Sequence, residues 1–411
     1  MISDLSFAAY AARLRDAIQR AYPGTAQNGT SSPLPSPPLG AAERGNSHAS
    51  INIRVPDLYT IPGNVSPWPD DLFNEFALSL FRLQFAANAA YRRFCEFRKV
   101  DPVTIASWRE IPTIATAAFK EGDLTCLALE QRERCFFSSG TTEQRPSRHF
   151  HHPASLDVYE SSLRPWFFRH LLPEGLANQS LAWLSLTPPP ASAPHSSLVH
   201  MFETVAQELN GTNFDFAGEV LPDGSWSLRL PYLLERLSTA TIKDQPLVLL
   251  GTAFGFVHLL DHCQELGLKF KLPTGSRVLE TGGYKGRSRV LPKDELHALI
   301  CAVLGIPREN LVSEYGMSEL SSQAYDTICG SPGAARCFHF PPWARVRIIS
   351  PETGREVSEG ETGLIQIFDL ANVASVLALQ TEDLGLRRGA GFELLGRAQL
   401  AEPRGCSLMS T

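Results

Sequence analysis

No long run of basic residues interrupts this sequence. Its 37 Lys and Arg stand against 43 Asp and Glu, for a formal net charge of −6. A nucleic-acid binder would carry a clustered basic face, so no nucleic-acid partner is expected. None of the eight cysteines forms a Cys-x-x-Cys pair, and their spacing is irregular. That pattern argues for free thiols in a reducing compartment. No stretch offers about 18 uncharged apolar residues, so no stable membrane insertion is expected. The N-terminal "MISDLSFAAYAARLRDAIQRAYPG" lacks the continuous apolar region of a signal peptide, because Asp4, Arg13, Asp16 and Arg20 interrupt it. The expected location is cytoplasmic. Gly-Lys-Ser and Gly-Lys-Thr are both missing, which excludes a Walker A phosphate loop. No internal repeat is present.

What is there can build a large core. Hydrophobic residues make up 43% of 411 positions, enough for two or three domains or one large domain with additions. Residues 1–23 read as an amphipathic helix that stops at Pro23-Gly24. Residues 24–55 are dominated by Pro, Gly, Ser and Ala and cannot bury enough surface to offset their ordering entropy; they are expected to be a disordered linker. The folded body is expected to begin near Trp68. Apolar residues at helical spacing predict a helix over 72–100, and a second is expected over 102–109. "IPTIATAAFKEG" predicts an extended start and a helical end, and "HHPASLDVYESSLRPWFFRHLLP" predicts a helix. From "SLAWLSLTP" to "PKDELHALICAVLG", strands and helices alternate, which is the pattern of an α/β fold with a largely buried, partly parallel sheet. The last hundred residues hold short β runs between Gly and Pro turns, predicting a small β-rich subdomain.

Four polar or Gly-containing segments stand in order: "SSGTTEQRPSR" (138–148), "ETGGYKG" (280–286), "SEYGMSEL" (313–320) and "TEDLG" (381–385), with "LLGR" (394–397) close behind. A loop of small hydroxyl residues and exposed backbone N–H groups can cradle phosphates without a Walker motif. Their order and separation resemble the adenylate-forming superfamily, which activates carboxylic acids with ATP. Within it, the sequence is most similar to the LuxE-like acyl-protein synthetases and more distantly to the phenylacetate–CoA ligase type. The resemblance covers roughly residues 68–409, and "EYGMSE" with "RGCSL" is its most specific part.

The resemblance implies an α/β fold: a large adenylate-forming N-terminal-type domain with mixed and parallel sheets over 56–340, and a small β-rich C-terminal subdomain over 341–411 with a mobile tail. It implies that Ser138, Ser139, Gly140, Thr141 and Thr142 hold the pyrophosphate end of ATP. Where the family has a Gly after the second Thr, this chain has Glu143, with Arg145 and Arg148 nearby to offset its charge. Tyr315 and Gly316 would lie on the adenine, Gly282 and Gly283 would let the backbone approach it, and Ser318 would donate to the α-phosphate. Glu319 would hold Mg²⁺ through a hard carboxylate oxygen. Asp383 and Arg397 would contact the ribose.

The superfamily's mobile C-terminal domain with its catalytic Lys is not expected here, as in the LuxE-like branch. Lys285 is the candidate for the positive charge that the transition state needs at the α-phosphate. In the tail, Cys406 of "EPRGCSLMST" matches the cysteine that accepts the acyl group in the resembling family. A thiolate attacks a mixed anhydride readily. Its thiol would be a few per cent ionised at neutral pH, a fraction that Arg404 would raise. The implied substrates are ATP with Mg²⁺ and a fatty acid, and the implied acceptor is an acyl-CoA-reductase-like protein. Two alternatives stay open: an acyl- or aryl-CoA ligase, and a non-catalytic nucleotide-binding or scaffold protein. "HFHH" (149–152) could be read as a metal tract, but no carboxylate or Cys completes a ligand set nearby. "PHSSLVHMFE" (194–203) is either acyl-site wall or core.

Overall fold

The computed structural model describes residues 6–22, 67–138, 145–175, 181–211, 213–283, 289, 291–333 and 335–398. The first third of the chain is mainly helical: α1 (Phe7–Ala21), α2 (Asp70–Ala87), α3 (Ala89–Phe97), β1 (Ile114–Ala115) and α4 (Ala118–Glu121). A hairpin of β2 (Arg134–Phe137) and β3 (Arg148–His151) follows, then α5 (Pro153–Leu171), β4 (Ala182–Ser185), α6 (Ser197–Glu208) and β5 (Phe214–Phe216). The short ribbon β6 (Gly218–Val220) and β7 (Trp226–Leu228) leads into α7 (Leu230–Ile242), β8 (Leu247–Thr252), α8 (Ala253–Glu265), β9 (Arg277–Thr281), α9 (Lys293–Leu304), β10 (Leu311–Tyr315) and β11 (Ala324–Tyr325). The chain closes on β12 (Ala344–Ile349), β13 (Thr362–Asp369), β14 (Ala378–Arg388) and β15 (Gly391–Arg397).

Two sheets organise these elements. The larger has the order β11-β10-β9-β8-β4-β5; all its pairings are parallel except that of β11 with β10. Its strands read as apolar runs because both faces are covered. Leu184, Leu249, Val278 and Leu311 pack with α7, α8 and α9 in one core, while Trp183, Leu250, Leu279 and Val312 face α1, α2, α5 and α6 in the other. The second sheet runs β1-β14-β13-β12, with β15 also on β14. Its pairings are antiparallel apart from β1 with β14. Ile348, Ile365, Ile367 and Leu379 from this sheet join the main core, which binds both sheets into one body.

The α/β alternation and the β-rich C-terminal part are present, in an α/β fold with mixed sheets. Three local expectations need correction. The helix over 72–100 is two helices, because Asn88 accepts from the Tyr91 amide and caps a new start. No α-helix forms over 102–109, where the helical backbone is limited to a 3-10 turn at Trp108–Glu110; Asp101 captures the Val103 amide and Thr104 bonds back to the Asp101 carbonyl, so turn contacts displace helical ones. The folded body does not begin at Trp68. Tyr10, Leu14 and Ile18 of α1 are buried, and the Tyr10 hydroxyl donates to the Leu370 carbonyl at 3.3 Å. The linker assigned to residues 24–55 lies outside the described residues.

Candidate active site

The carboxyl ends of parallel strands form the customary ligand crevice of an open α/β sheet. At the end of β9 stand Thr281, Gly282 and Gly283. Gly282 has φ +67°, a left-handed conformation that a side chain resists, and open space surrounds the position where its Cβ would be. At the end of β10 come Glu314, Tyr315 and Gly316. A Cβ on Gly316 would meet a carboxylate oxygen of Glu314, so a side chain there would require that carboxylate to shift.

Tyr315 is held on all sides. Its ring meets Phe392 edge-on at 5.3 Å and lies 5.9 Å from Phe338, and its hydroxyl donates to Asp383 Oδ2 at 2.8 Å. Asp383 pairs in register with Arg397, whose Nε is 3.8 Å from Oδ1 while the guanidinium is 80% exposed. Burial raises the Asp383 pKa, an effect opposed by the Tyr315 hydrogen bond. Burial first, and then the Asp383 charge, drive the Tyr315 phenol well above its ordinary range.

A second group surrounds Glu319, which is only 6% exposed. Ser147 Oγ donates to one carboxylate oxygen, and Ser318 Oγ donates to the other at 3.0 Å. Asn372 Nδ2 donates to the Glu319 carbonyl at 2.9 Å, and His149 Nδ1 donates to the Ser318 carbonyl at 2.7 Å. Ser147 belongs to the far end of the hydroxyl-rich loop. Its amide donates to Ser138 Oγ at 3.0 Å, and the Ser138 amide donates back to the Ser147 carbonyl at 3.2 Å, so this pair closes the loop between β2 and β3.

The structure therefore brings Ser138, Ser318 and Glu319 together, and Tyr315, Asp383 and Arg397 together, with Gly282 and Gly283 on the adjoining strand end. Ser139, Gly140, Thr141, Thr142, Glu143, Lys285 and Cys406 lie outside the described residues. Arg148 is engaged elsewhere: it pairs with Asp123 at 2.8 Å. His149 and His151 sit on β3 in the core, with ring centroids 4.3 Å apart. Among the described residues no group of three His, Cys, Asp or Glu is arranged to hold a metal ion. Sequence reasoning missed Ser147, Asn372 and Glu314. Ser147 carried a readable signal, since it closes the quoted loop segment; Asn372 sits in a featureless stretch.

The family model described as "Acyl-protein synthetase, LuxE" matches residues 214–411. A long-chain-fatty-acid–luciferin-component ligase of Vibrio harveyi is 22% identical over 394 residues, covering 90% of this chain and 96% of that protein. The ligase of the same description from Aliivibrio fischeri is 22% identical over 351 residues, covering 80% and 85%. Among solved structures, an open conformation of 2-hydroxyisobutyryl-CoA ligase in complex with 2-HIB-AMP and CoA is similar with a TM-score of 0.58 at 15% identity, covering 80% of this chain and 71% of that one. The fold is that of the adenylate-forming ligases. Within that fold, residues 214–411 are similar to the LuxE acyl-protein synthetases, and most of the chain is similar to the two fatty-acid ligases.

Proposed function

We propose that this chain activates a fatty carboxylic acid with ATP and passes the acyl group to Cys406, from which an acyl-CoA-reductase-like partner takes it. The observation that carries the reading is the meeting of Tyr315–Asp383 and Ser147–Glu319–Ser318 beside the strand-end glycines. In the first step a carboxylate oxygen of the acid attacks the α-phosphorus, the bond to the β-phosphate breaks, and pyrophosphate leaves. Tyr315 and Gly316 bound the adenine, Asp383 and Arg397 take the ribose, and the hydroxyl loop from Ser138 to Thr142 receives the pyrophosphate end. Ser318 donates to the α-phosphate, and Lys285 supplies positive charge there.

Glu319 fits a divalent cation, because hydroxyl donors occupy one position on each oxygen and leave further lone pairs on a hard ligand. Bound there, Mg²⁺ would neutralise phosphate charge. In the second step the Cys406 thiolate attacks the carbonyl carbon of acyl-AMP, a thioester forms, and AMP leaves. The cytosolic ATP pool suits this chemistry.

The test uses radiolabelled fatty acid and ATP with the full chain, with and without CoA. Expected is a protein adduct labile to neutral hydroxylamine. Cys406→Ser should lose that adduct and keep acid-dependent pyrophosphate exchange. A labile adduct that persists in the variant overturns the assignment of Cys406. Turnover only with CoA supports the CoA-ligase alternative, and no reaction in any arm supports the non-catalytic one.

A further inference from the structure

On β8, β9 and β10 the inner face of the large sheet is apolar until its last row; on β4, Ser185 interrupts it one row earlier. Val248, Leu250, Leu279 and Val312 alternate with residues that face the opposite core. Two positions beyond Leu250, Leu279 and Val312, the same alternation puts Thr252, Thr281 and Glu314 side by side at the strand ends. Thr252 is the register partner of Thr281, and Thr281 that of Glu314. Thr252 is committed to capping α8 through the Gly255 amide. Thr281 donates its hydroxyl to Glu314 Oε2.

Glu314 differs from its neighbour across the sheet. Glu280, on the opposite face, receives Ser313 Oγ at 3.0 Å and lies 3.3 Å from His297 Nε2. Glu314 has no Lys, Arg or His partner among the described residues, and it is 7% exposed. Burial, reinforced by the Glu280 charge and opposed by the Thr281 hydroxyl, pushes its pKa up to about 7. Tyr325 stands directly opposite it in the β10–β11 pairing and keeps a buried hydroxyl without a hydrogen-bond partner among the described residues. Burial first, and then the Glu314 charge, raise the pKa of Tyr159, whose oxygen accepts from Gln323 Nε2 at 3.3 Å. A buried acid with one hydroxyl donor, beside an unpartnered hydroxyl, is a costly arrangement for a site that holds only methylenes.

Its position says what it can touch. Glu314 immediately precedes Tyr315 and Gly316 and stands five residues before Glu319, on the strand end beside the glycine turn. If the acid's carboxylate must reach the α-phosphate near Ser318, the first carbons of its acyl chain pass along this polar row. We infer that Glu314, backed by Thr281, selects an acid that carries a hydrogen-bond donor, a hydroxyl or an ammonium, close to its carboxylate. The inference rests on the acid-activation reading and narrows its substrate class: an unsubstituted alkyl chain leaves the buried carboxylate with the Thr281 hydroxyl as its one side-chain donor among the described residues, whereas a hydroxy or amino acid supplies a second. Sites built to bond a polar group reject the analogue without it far more strongly than apolar pockets discriminate methylenes.

The experiment is acid-dependent pyrophosphate exchange by the full chain with four matched acids: dodecanoic, 2-hydroxydodecanoic, 3-hydroxydodecanoic and 3-aminododecanoic. In the wild type, at least one substituted acid should exceed dodecanoic acid in kcat/KM by about 10²-fold or more. Glu314→Leu should bring that ratio towards one. Glu314→Gln, still an acceptor, should keep selection for a hydroxyl and lose selection for an ammonium. Dodecanoic acid equalling or exceeding all three substituted acids overturns the inference, as does a selectivity ratio unchanged by Glu314→Leu. Should the Leu variant not fold, the wild-type panel and Glu314→Gln decide. Exchange with no acid at all removes the activation reading and this inference with it, an outcome distinct from exchange with the wrong preference.

Discussion

The Tyr315 hydroxyl lies 2.8 Å from Asp383 Oδ2, joining the end of β10 to β14 across 68 positions of sequence. With Phe338 and Phe392 around the ring, this bond ties the large sheet to the small one at the place where nucleotide recognition is proposed. Tyr315→Phe keeps the ring and leaves the half-buried Asp383 without its donor. A loss of about 1–3 kcal/mol is expected, the cost of leaving a buried acceptor unsatisfied, read as a lower urea midpoint. KM for ATP should rise as well. An unchanged midpoint and KM would show that the bond holds nothing together.

Glu319→Gln removes a carboxylate charge from the proposed Mg²⁺ and α-phosphate position. Pyrophosphate exchange should fall by about 10²-fold or more. Ser147→Ala acts only through Glu319 and should cost about tenfold. Exchange by Glu319→Gln at near wild-type rate would remove Glu319 from the site.

His170 supplies a pH dependence of stability. Its Nδ1 donates to the Trp166 carbonyl at 2.8 Å, and its ring stacks on Tyr325 at 4.9 Å. Burial lowers its pKa to about 3; the Trp166 carbonyl opposes this, Arg169 and His339 reinforce it, and Asp326 opposes it weakly. The unfolded imidazole titrates near 6.5, so below that pH the unfolded chain binds a proton that the folded chain refuses. Stability is therefore whole above about pH 6.5 and is lost as pH falls towards 3, at up to about 1.4 kcal/mol per pH unit. Urea midpoints measured from pH 7.5 to 4.5 should fall less steeply in His170→Phe than in the wild type. Parallel curves would refute the contribution.

The N-terminal helix should prove indispensable. Leu14 and Ile18 are buried along with Tyr10, and Tyr22 sits edge-on against Trp343 at 5.8 Å. Each large apolar side chain buried contributes about 1.5–3 kcal/mol, and several together approach the whole stability of a domain. Deleting residues 1–22 should abolish or sharply lower the melting transition. Excising residues 24–55 with the helix retained should leave the transition in place, as their composition implies. A truncation of 1–22 that melts like the full chain would show that the helix is an appendage.

Local patterns were enough for much of this protein. Alternating apolar runs and helical spacings announce the α/β body, because strand and helix periods are properties of neighbouring residues. The four motif segments are equally local: hydroxyls in a row at 138–142, paired glycines at 282–283, and the Tyr-Gly and Ser-Glu steps of 315–319. Even the Asn88 break is written in one capping side chain.

Tertiary structure alone decided which of these segments share chemistry. Ser147 reaches Glu319 across 172 positions, and Asn372 reaches the same residue from 53 positions away. Tyr315 finds Asp383 only because β10 ends beside β14. The amphipathic helix at the N-terminus announces an apolar face, yet nothing in its own residues says that α5 and Leu370 will cover it. Glu314 is the clearest case. In sequence it is one more acid beside a strand; parallel register with β9 turns it inward onto Thr281 at the end of an otherwise apolar row. Periodicity fixes which side chains share a face of one element. Register and chain reversal, set by packing over the whole core, determine what that face meets.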